Sequence, residues 1–196
     1  YGELPVHVLG YVGGVSEADL NDPTKGFYRN ENVGKSGLEL MYDNYLRGTP
    51  GIKTVIVDRK ESVTQTSENS KPVAGDNLVT NLSAPLQAAV EQALNKAVRS
   101  SRASGYKADS GAAIVLNVKS GAVLAMASWP TYDPNMFQKG LTVQQAKDLF
   151  SESTGVPALS RAIQGTYAPA STFKALSVVA ATKAGYNMNS TYKCPA

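Results

Sequence analysis

Ser171 and Lys174 stand three positions apart in the stretch Ala168-Pro169-Ala170-Ser171-Thr172-Phe173-Lys174-Ala175-Leu176. A serine hydroxyl is a weak nucleophile until a neighbouring base takes its proton. A lysine amine is such a base only where burial, a nearby positive charge or a helix N-terminal dipole disfavours its ammonium form. Residues i and i+3 share one face of a helix, which brings the Lys174 amine within reach of the Ser171 hydroxyl. A helix N-terminus also presents backbone N–H groups to a developing oxyanion. Taken as chemistry, the pair describes acyl transfer through a covalent serine intermediate. Taken as structure, the same letters describe a helix-capping serine followed by a lysine that reaches past apolar neighbours to water.

Local sequence says how the pair would be held. Pro169 keeps Ala168 out of helical angles, and Ser171 is a good residue to open a helix. From Phe173 to Ala181 nearly every side chain is apolar, which predicts a core helix. Its end is expected near Gly185, a C′ glycine. Burial and the helix dipole would then both act on Lys174.

In front of the pair runs Ser160-Arg161-Ala162-Ile163-Gln164-Gly165-Thr166-Tyr167. This segment and the Ser171-Thr172-Phe173-Lys174 motif resemble the class B penicillin-binding proteins, which are peptidoglycan DD-transpeptidases. The handful of glycine-rich phrases upstream fits as well. Val6-His7-Val8-Leu9-Gly10-Tyr11-Val12-Gly13 and the run from Gly34 through Gly51 resemble that family's pedestal, and Gly121-Ala122-Val123-Leu124-Ala125-Met126-Ala127-Ser128 its transpeptidase sheet. One departure is visible. The family commonly has glycine just before the serine, where this chain has Ala170, a change that bears on loop geometry more than on chemistry.

The resemblance implies an α+β chain in two parts. Residues 1–82 would be part of an elongated, dimerisation-type pedestal. Residues 83–196 would be the first portion of a penicillin-binding, serine-β-lactamase-like transpeptidase domain, an antiparallel sheet flanked by helices. Both ends look cut, and no Ser-x-Asn or Lys-Thr-Gly motif follows Lys174, so the fragment alone is expected to be inactive. Ser171 would be the acylated nucleophile and Lys174 its base. Stem peptides ending in D-Ala-D-Ala and β-lactam antibiotics would be the reactants. A partner glycosyltransferase and the remainder of the same protein would be the associates, at the outer face of the bacterial cytoplasmic membrane. The phrasing from Gln164 to Lys174 is closer to elongation-type than to division-type members. Two other functions fit the motif: a serine β-lactamase or β-lactam sensor, and a non-catalytic scaffold for a cell-wall synthesis partner. A pedestal-like first part counts against the former.

Composition narrows the rest. The 196 residues are 42% hydrophobic, with 17 glycines and 10 prolines, an ordinary fold with many turns. A formal charge of +3, scattered along the chain, does not describe a nucleic-acid binder. Cys194 is the single cysteine, which rules out an internal disulfide and offers no metal cluster; no cofactor is implied. His7 is the single histidine and reads as structural. No apolar run approaches the roughly 20 residues of a membrane span, and the first residues do not resemble a signal peptide.

Along the chain, residues 4–15 are expected to be extended and closed by paired glycines. Ser16 begins a capped turn with acidic residues behind it. Apolar residues at 38, 41, 42, 45 and 46 predict a helix stopped by Arg47-Gly48-Thr49-Pro50, with Glu39 and Arg47 as a structural ion pair. Residues 53–58 and 78–82 are expected strands, separated by an exposed polar connection. A helix capped by Ser83 and led by Pro85 should bury Leu86, Val90, Leu94 and Val98 and turn Gln87, Glu91, Asn95 and Arg99 to water. Residues 111–118 and 122–128 form a strand pair across a Lys119-Ser120-Gly121 turn, apolar on both faces and therefore expected to be covered on both. Trp129 and Tyr132 either line a groove or pack a rigid loop. An amphipathic helix over 142–150 completes the list.

Overall fold

A computed structural model describes residues 2–22 and 26–191; Cys194 lies outside the described residues. By compactness the chain separates into two units, residues 1–165 and 166–196. The mixed helix and sheet architecture expected from the sequence is present.

The first unit begins with a surprise. Residues 4–15 were expected to be extended, yet Val6–Leu9 forms a single helical turn, α1, before the short strand β1, Val12–Gly14. The reason is burial. Val6 and His7 are both buried, and neighbouring residues of a strand would point to opposite faces, whereas a helical turn packs both inward. Gly10 then turns the chain at φ +85, and a Cβ there would sit 1.8 Å from the Ser36 carbonyl oxygen. Only glycine passes. β1 pairs antiparallel with β2, Asn32–Gly34. Between them, α2, Glu17–Leu20, opens with a capping box in which Ser16 and Asp19 satisfy each other's backbone N–H.

The helix expected over the next segment is two helices, α3, Gly37–Met41, and α4, Asp43–Leu46, broken at Tyr42 with φ −112 and ψ 18. Asp43 holds the break, because its Oδ1 accepts from Gly34 N at 2.8 Å. Arg47 pairs with Asp43 at 3.1 Å and Glu31 at 3.3 Å, and lies 4.5 Å over the Phe27 ring. The expected Glu39–Arg47 pair is therefore corrected. Asp43 is one turn from Arg47, while Glu39 is two turns away across the break.

Strands β3, Ile52–Val57, and β4, Val63–Ser70, make an antiparallel hairpin whose every residue is exposed. Its turn is tied by Asp58 Oδ1, which accepts from Lys60 N and Ser62 N. Residues 78–82 carry strand-forming side chains but form no strand, since none pairs with them among the described residues.

The long helix α5, Ala84–Ala103, carries Pro85 in its first turn as expected. Ser83 does not cap it with its side chain; its backbone N–H donates to Leu124 O instead, at 2.9 Å. Gln87 overturns a second expectation. It is 1% exposed and bonded to the backbone of Met126, rather than on the wet face. β5, Gly111–Leu116, and β6, Val123–Trp129, pair antiparallel, with Ile114 opposite Met126. Asn117 Oδ1 accepts from Lys119 N and Ser120 N to shape the turn between them. Ala125 and Ala127 are buried beneath α5, but Ile114 and Leu116 are exposed, so the sheet is not covered on both faces by the described residues.

Beyond β6, Asp133 caps a 3-10 turn at Pro134–Lys139, and a Thr142–Gln145 capping box starts α6, Val143–Phe150. The short helix α7, Arg161–Gln164, contacts both β5 and β6. Val6, Tyr132 and Leu149 form the core of this unit, with Tyr11, Met136, Phe137, Leu141 and Ala158 packed around it. Residues from the beginning and the end of the unit thus share one apolar cluster.

Candidate active site

The second unit holds the serine–lysine pair. Ala170–Phe173 is a 3-10 turn that runs directly into the helix α8, Lys174–Lys183. Ser171 is thus inside the first turn and is not the N-cap residue that the sequence suggested. The departure has a cause in the backbone: Ala170 takes φ +46, a left-handed angle that starts the turn one residue before the serine. In a 3-10 turn, side chains at i and i+3 eclipse, so Ser171 and Lys174 project from one side. The backbone agrees, because Lys174 N donates to Ser171 O. Gly185, with φ +83, closes the helix as expected; Gly185 N donates to Thr182 O and Tyr186 N to Ala181 O.

Hydroxyls near the pair behave differently from Ser171. Thr172 donates to Pro169 O, Ser177 to Phe173 O at 3.3 Å, and Thr182 to Val178 O at 2.9 Å. The Ser171 hydroxyl has no such bond among the described residues, and it is exposed. Lys174 is exposed too, contrary to the expected burial. The helix and the turn before it are exposed at every position but Ala181: Phe173, Leu176 and Val179 are 53%, 61% and 54% exposed. Being apolar on all sides, it has no stripe that one neighbour alone would cover. The geometry brings a free serine oxygen and a lysine to one side of a helix start, without yet burying the amine.

Comparisons with known proteins decide the kinship. The family model for the penicillin-binding protein dimerisation domain matches residues 1–80, and that for the penicillin-binding protein transpeptidase domain matches residues 111–196. The chain belongs to the penicillin-binding proteins. It is 35% identical to the peptidoglycan D,D-transpeptidase MrdA of Haemophilus influenzae, over 92% of this chain and 27% of that protein. It superposes with a TM-score of 0.73 at 34% identity on a chain of a peptidoglycan synthase complex that coordinates polymerisation and crosslinking, covering 94% of this chain and 32% of that one. Penicillin-binding protein PBP2 of Helicobacter pylori, solved in complex with MreC, gives a TM-score of 0.71 at 27% identity, over 98% and 33% of the two chains. The chain spans about a quarter of the length of the curated relatives it matches.

The remaining candidates of this penicillin-binding protein sort clearly. His7 is structural: its Nε2 donates to Pro157 O at 2.7 Å and its ring meets Tyr132 edge-on at 5.4 Å. Burial, and to a lesser degree the Arg161 charge, hold its imidazole below the ordinary value, with the Pro157 contact acting the other way. Tyr132 is 7% exposed and packs on Phe137, so it anchors the aromatic loop, while Trp129 and Thr131 line a cleft beside α5. Trp129 is half-buried, with the Arg99 guanidinium 5.9 Å from its ring.

Sequence reasoning missed Arg161. It is 7% exposed, and its guanidinium donates to the carbonyls of Gly155, Val156 and Leu159, folding that turn around itself. Next to it, Ser128 Oγ accepts from Ala162 N at 3.1 Å and takes the capping place that Ser160 leaves unfilled. The signal was present in the run of Gly155, Val156 and Pro157, a turn whose carbonyls need donors from elsewhere.

Proposed function

We propose that this chain belongs to a peptidoglycan DD-transpeptidase and carries its nucleophile. One observation supports the reading above others: Ser171 and Lys174 project from one side of a helix start, and among the described residues the serine oxygen makes no hydrogen bond. The setting is a segment that matches the transpeptidase family model. In the reaction, Ser171 Oγ attacks the carbonyl of the penultimate D-Ala of a stem peptide while Lys174 takes the hydroxyl proton. The C–N bond breaks, the terminal D-Ala leaves with a proton on its amine, and the peptide stays on Ser171 as an ester. An amine of a neighbouring stem peptide then attacks that ester, forming the crosslink and returning the proton to Ser171. A β-lactam opens on the same oxygen.

Residues 1–82 serve in this proposal as a non-catalytic pedestal and residues 83–196 as the start of the catalytic domain. Partners follow from the relatives: an MreC-like protein, as for the Helicobacter PBP2, and a polymerising enzyme, as in the synthase complex. The work would be done on the outer face of the cytoplasmic membrane, where peptidoglycan is crosslinked; no helix of the described residues is long and apolar enough to cross a membrane. The dimerisation-domain match over residues 1–80 supports this reading over a β-lactamase.

The test uses the intact protein. Treatment with a fluorescent penicillin followed by peptide mapping should place the adduct on Ser171, and Ser171→Ala should abolish it. An adduct on another residue sinks the assignment. A folded intact protein that takes no label at all favours the scaffold reading.

A further inference from the structure

Met126 lies opposite Ile114 in the β5–β6 pair, yet one side chain takes both of its backbone groups. Gln87 Oε1 accepts from Met126 N at 2.8 Å, and Gln87 Nε2 donates to Met126 O at 2.8 Å. Residues of an antiparallel strand alternate between those whose N–H and C=O face the partner strand and those whose groups face away. Met126 is of the second kind, so its groups point to the outer edge of β6. Leu124 has the same parity, and its carbonyl takes the Ser83 N–H at 2.9 Å. The start of α5 therefore runs along that edge and meets it twice, once with backbone and once with a side chain. A primary amide carries the same donor and acceptor as a peptide unit. Its second Nε2 hydrogen goes to Glu91 Oε1 at 2.7 Å, which holds the amide plane in place.

We propose that Gln87 acts as a one-residue strand, closing the outer edge of β6 against pairing with an extended segment of a second copy of this chain. β6 reads Val-Leu-Ala-Met-Ala-Ser-Trp, without a charge or a proline, and β5 is its only strand partner among the described residues. A strand of that composition with an open edge is a template for intermolecular pairing, and the usual guards are an edge lysine or proline. This strand has neither. An apolar residue at position 87 would fill the same space, so packing alone does not ask for glutamine; two outward backbone groups do.

The experiment compares the intact protein with Gln87→Leu and with Leu94→Ala, a packing change on the same helix where Leu94 meets Gly111 of β5. In Gln87→Leu the Met126 amide should exchange with solvent about 10- to 100-fold faster, the factor that accompanies loss of one buried hydrogen bond. Sedimentation should then show concentration-dependent self-association that Leu94→Ala does not share. Equal self-association by both variants, or a monomeric Gln87→Leu with an unchanged Met126 amide, overturns the proposal. Should Gln87→Leu fail to fold, the unsubstituted protein still decides. Its Met126 amide should be protected to within about tenfold of the Ala127 amide, as a bonded edge requires, and much faster exchange at Met126 overturns the assignment.

Discussion

Replacing Ala170 by glycine is expected to stabilise the intact protein, because Ala170 takes φ +46 immediately before the proposed nucleophile. An L-residue in the left-handed region costs about 1–2 kcal/mol that glycine escapes. Glycine also widens the unfolded ensemble, which returns about 0.4–1 kcal/mol of that gain. The balance is a stabilisation of roughly 0.5–1 kcal/mol, which for a domain of this size raises the melting midpoint by about 1–4 °C. Ala170→Val moves the other way, since a branched Cβ meets the neighbouring carbonyl more severely in that region. Thermal unfolding of the two variants beside the parent protein measures both directions, and penicillin acylation rates show whether the turn still presents Ser171. A glycine variant that melts lower while the valine variant is neutral would refute the left-handed turn, and with it the 3-10 start that leads into α8.

Lys174→Arg keeps the positive charge but cannot give up its proton, so acylation of the intact protein should fall by at least about 100-fold; normal acylation would end the base assignment. For His7, the folded state holds the imidazole below its ordinary 6.5, while the unfolded chain takes up a proton near that value. Stability tied to His7 is therefore complete above pH 6.5 and lost as the pH falls below it. His7→Gln, which keeps a donor for Pro157, should flatten that slope in pH-dependent melts, and identical slopes count against it. Glu91 has the opposite sign. Burial, chiefly, raises its carboxyl above the ordinary 4.5, with Glu3 adding to the rise and the Gln87 contact opposing it. The folded state then binds the proton more tightly, and stability falls as the pH rises through the raised value. Glu91→Gln should melt higher than the parent at pH 7 and no higher near pH 4; a gain of equal size at both refutes the assignment.

Periodic segments and some turns were legible from residue types alone, whereas the caps expected at Ser83 and Ser171 did not form. Pro85 and the apolar spacing behind it marked α5, the Ser16 cap came out bonded, the helix expected over 142–150 formed, and the Lys119-Ser120-Gly121 turn joined the two strands that flank it. What escaped was set by partners distant in sequence. Val6 and His7 coil because both turn inward, Val6 into a cluster with Tyr132 and Leu149 and His7 against the Tyr132 ring and Pro157 O. Gln87 turned inward because Met126 had two unpaired groups, which no helical wheel records. Arg47 chose Asp43 and Glu31 over Glu39 once the chain broke at Tyr42. At the candidate site, the letters Ser-x-x-Lys gave the pair its shared side, and the glycine missing before the serine marked the one backbone angle that is unusual there. The apolar run of α8 said that the helix needs cover, not which residues supply it.

The hydrogen bond from His7 to Pro157 spans 150 residues of chain. During synthesis at about 5–20 residues per second, the segment around Val6 leaves the ribosome roughly 8–30 s before the carbonyl and the leucine it packs against. For that interval the turn at Val6–Leu9 can pack on α3 but lacks Tyr132, Leu149 and Pro157 for part or all of the time. A segment made well before Leu149 and Pro157 thus finds these partners late, and its apolar side must be kept from other surfaces while it waits.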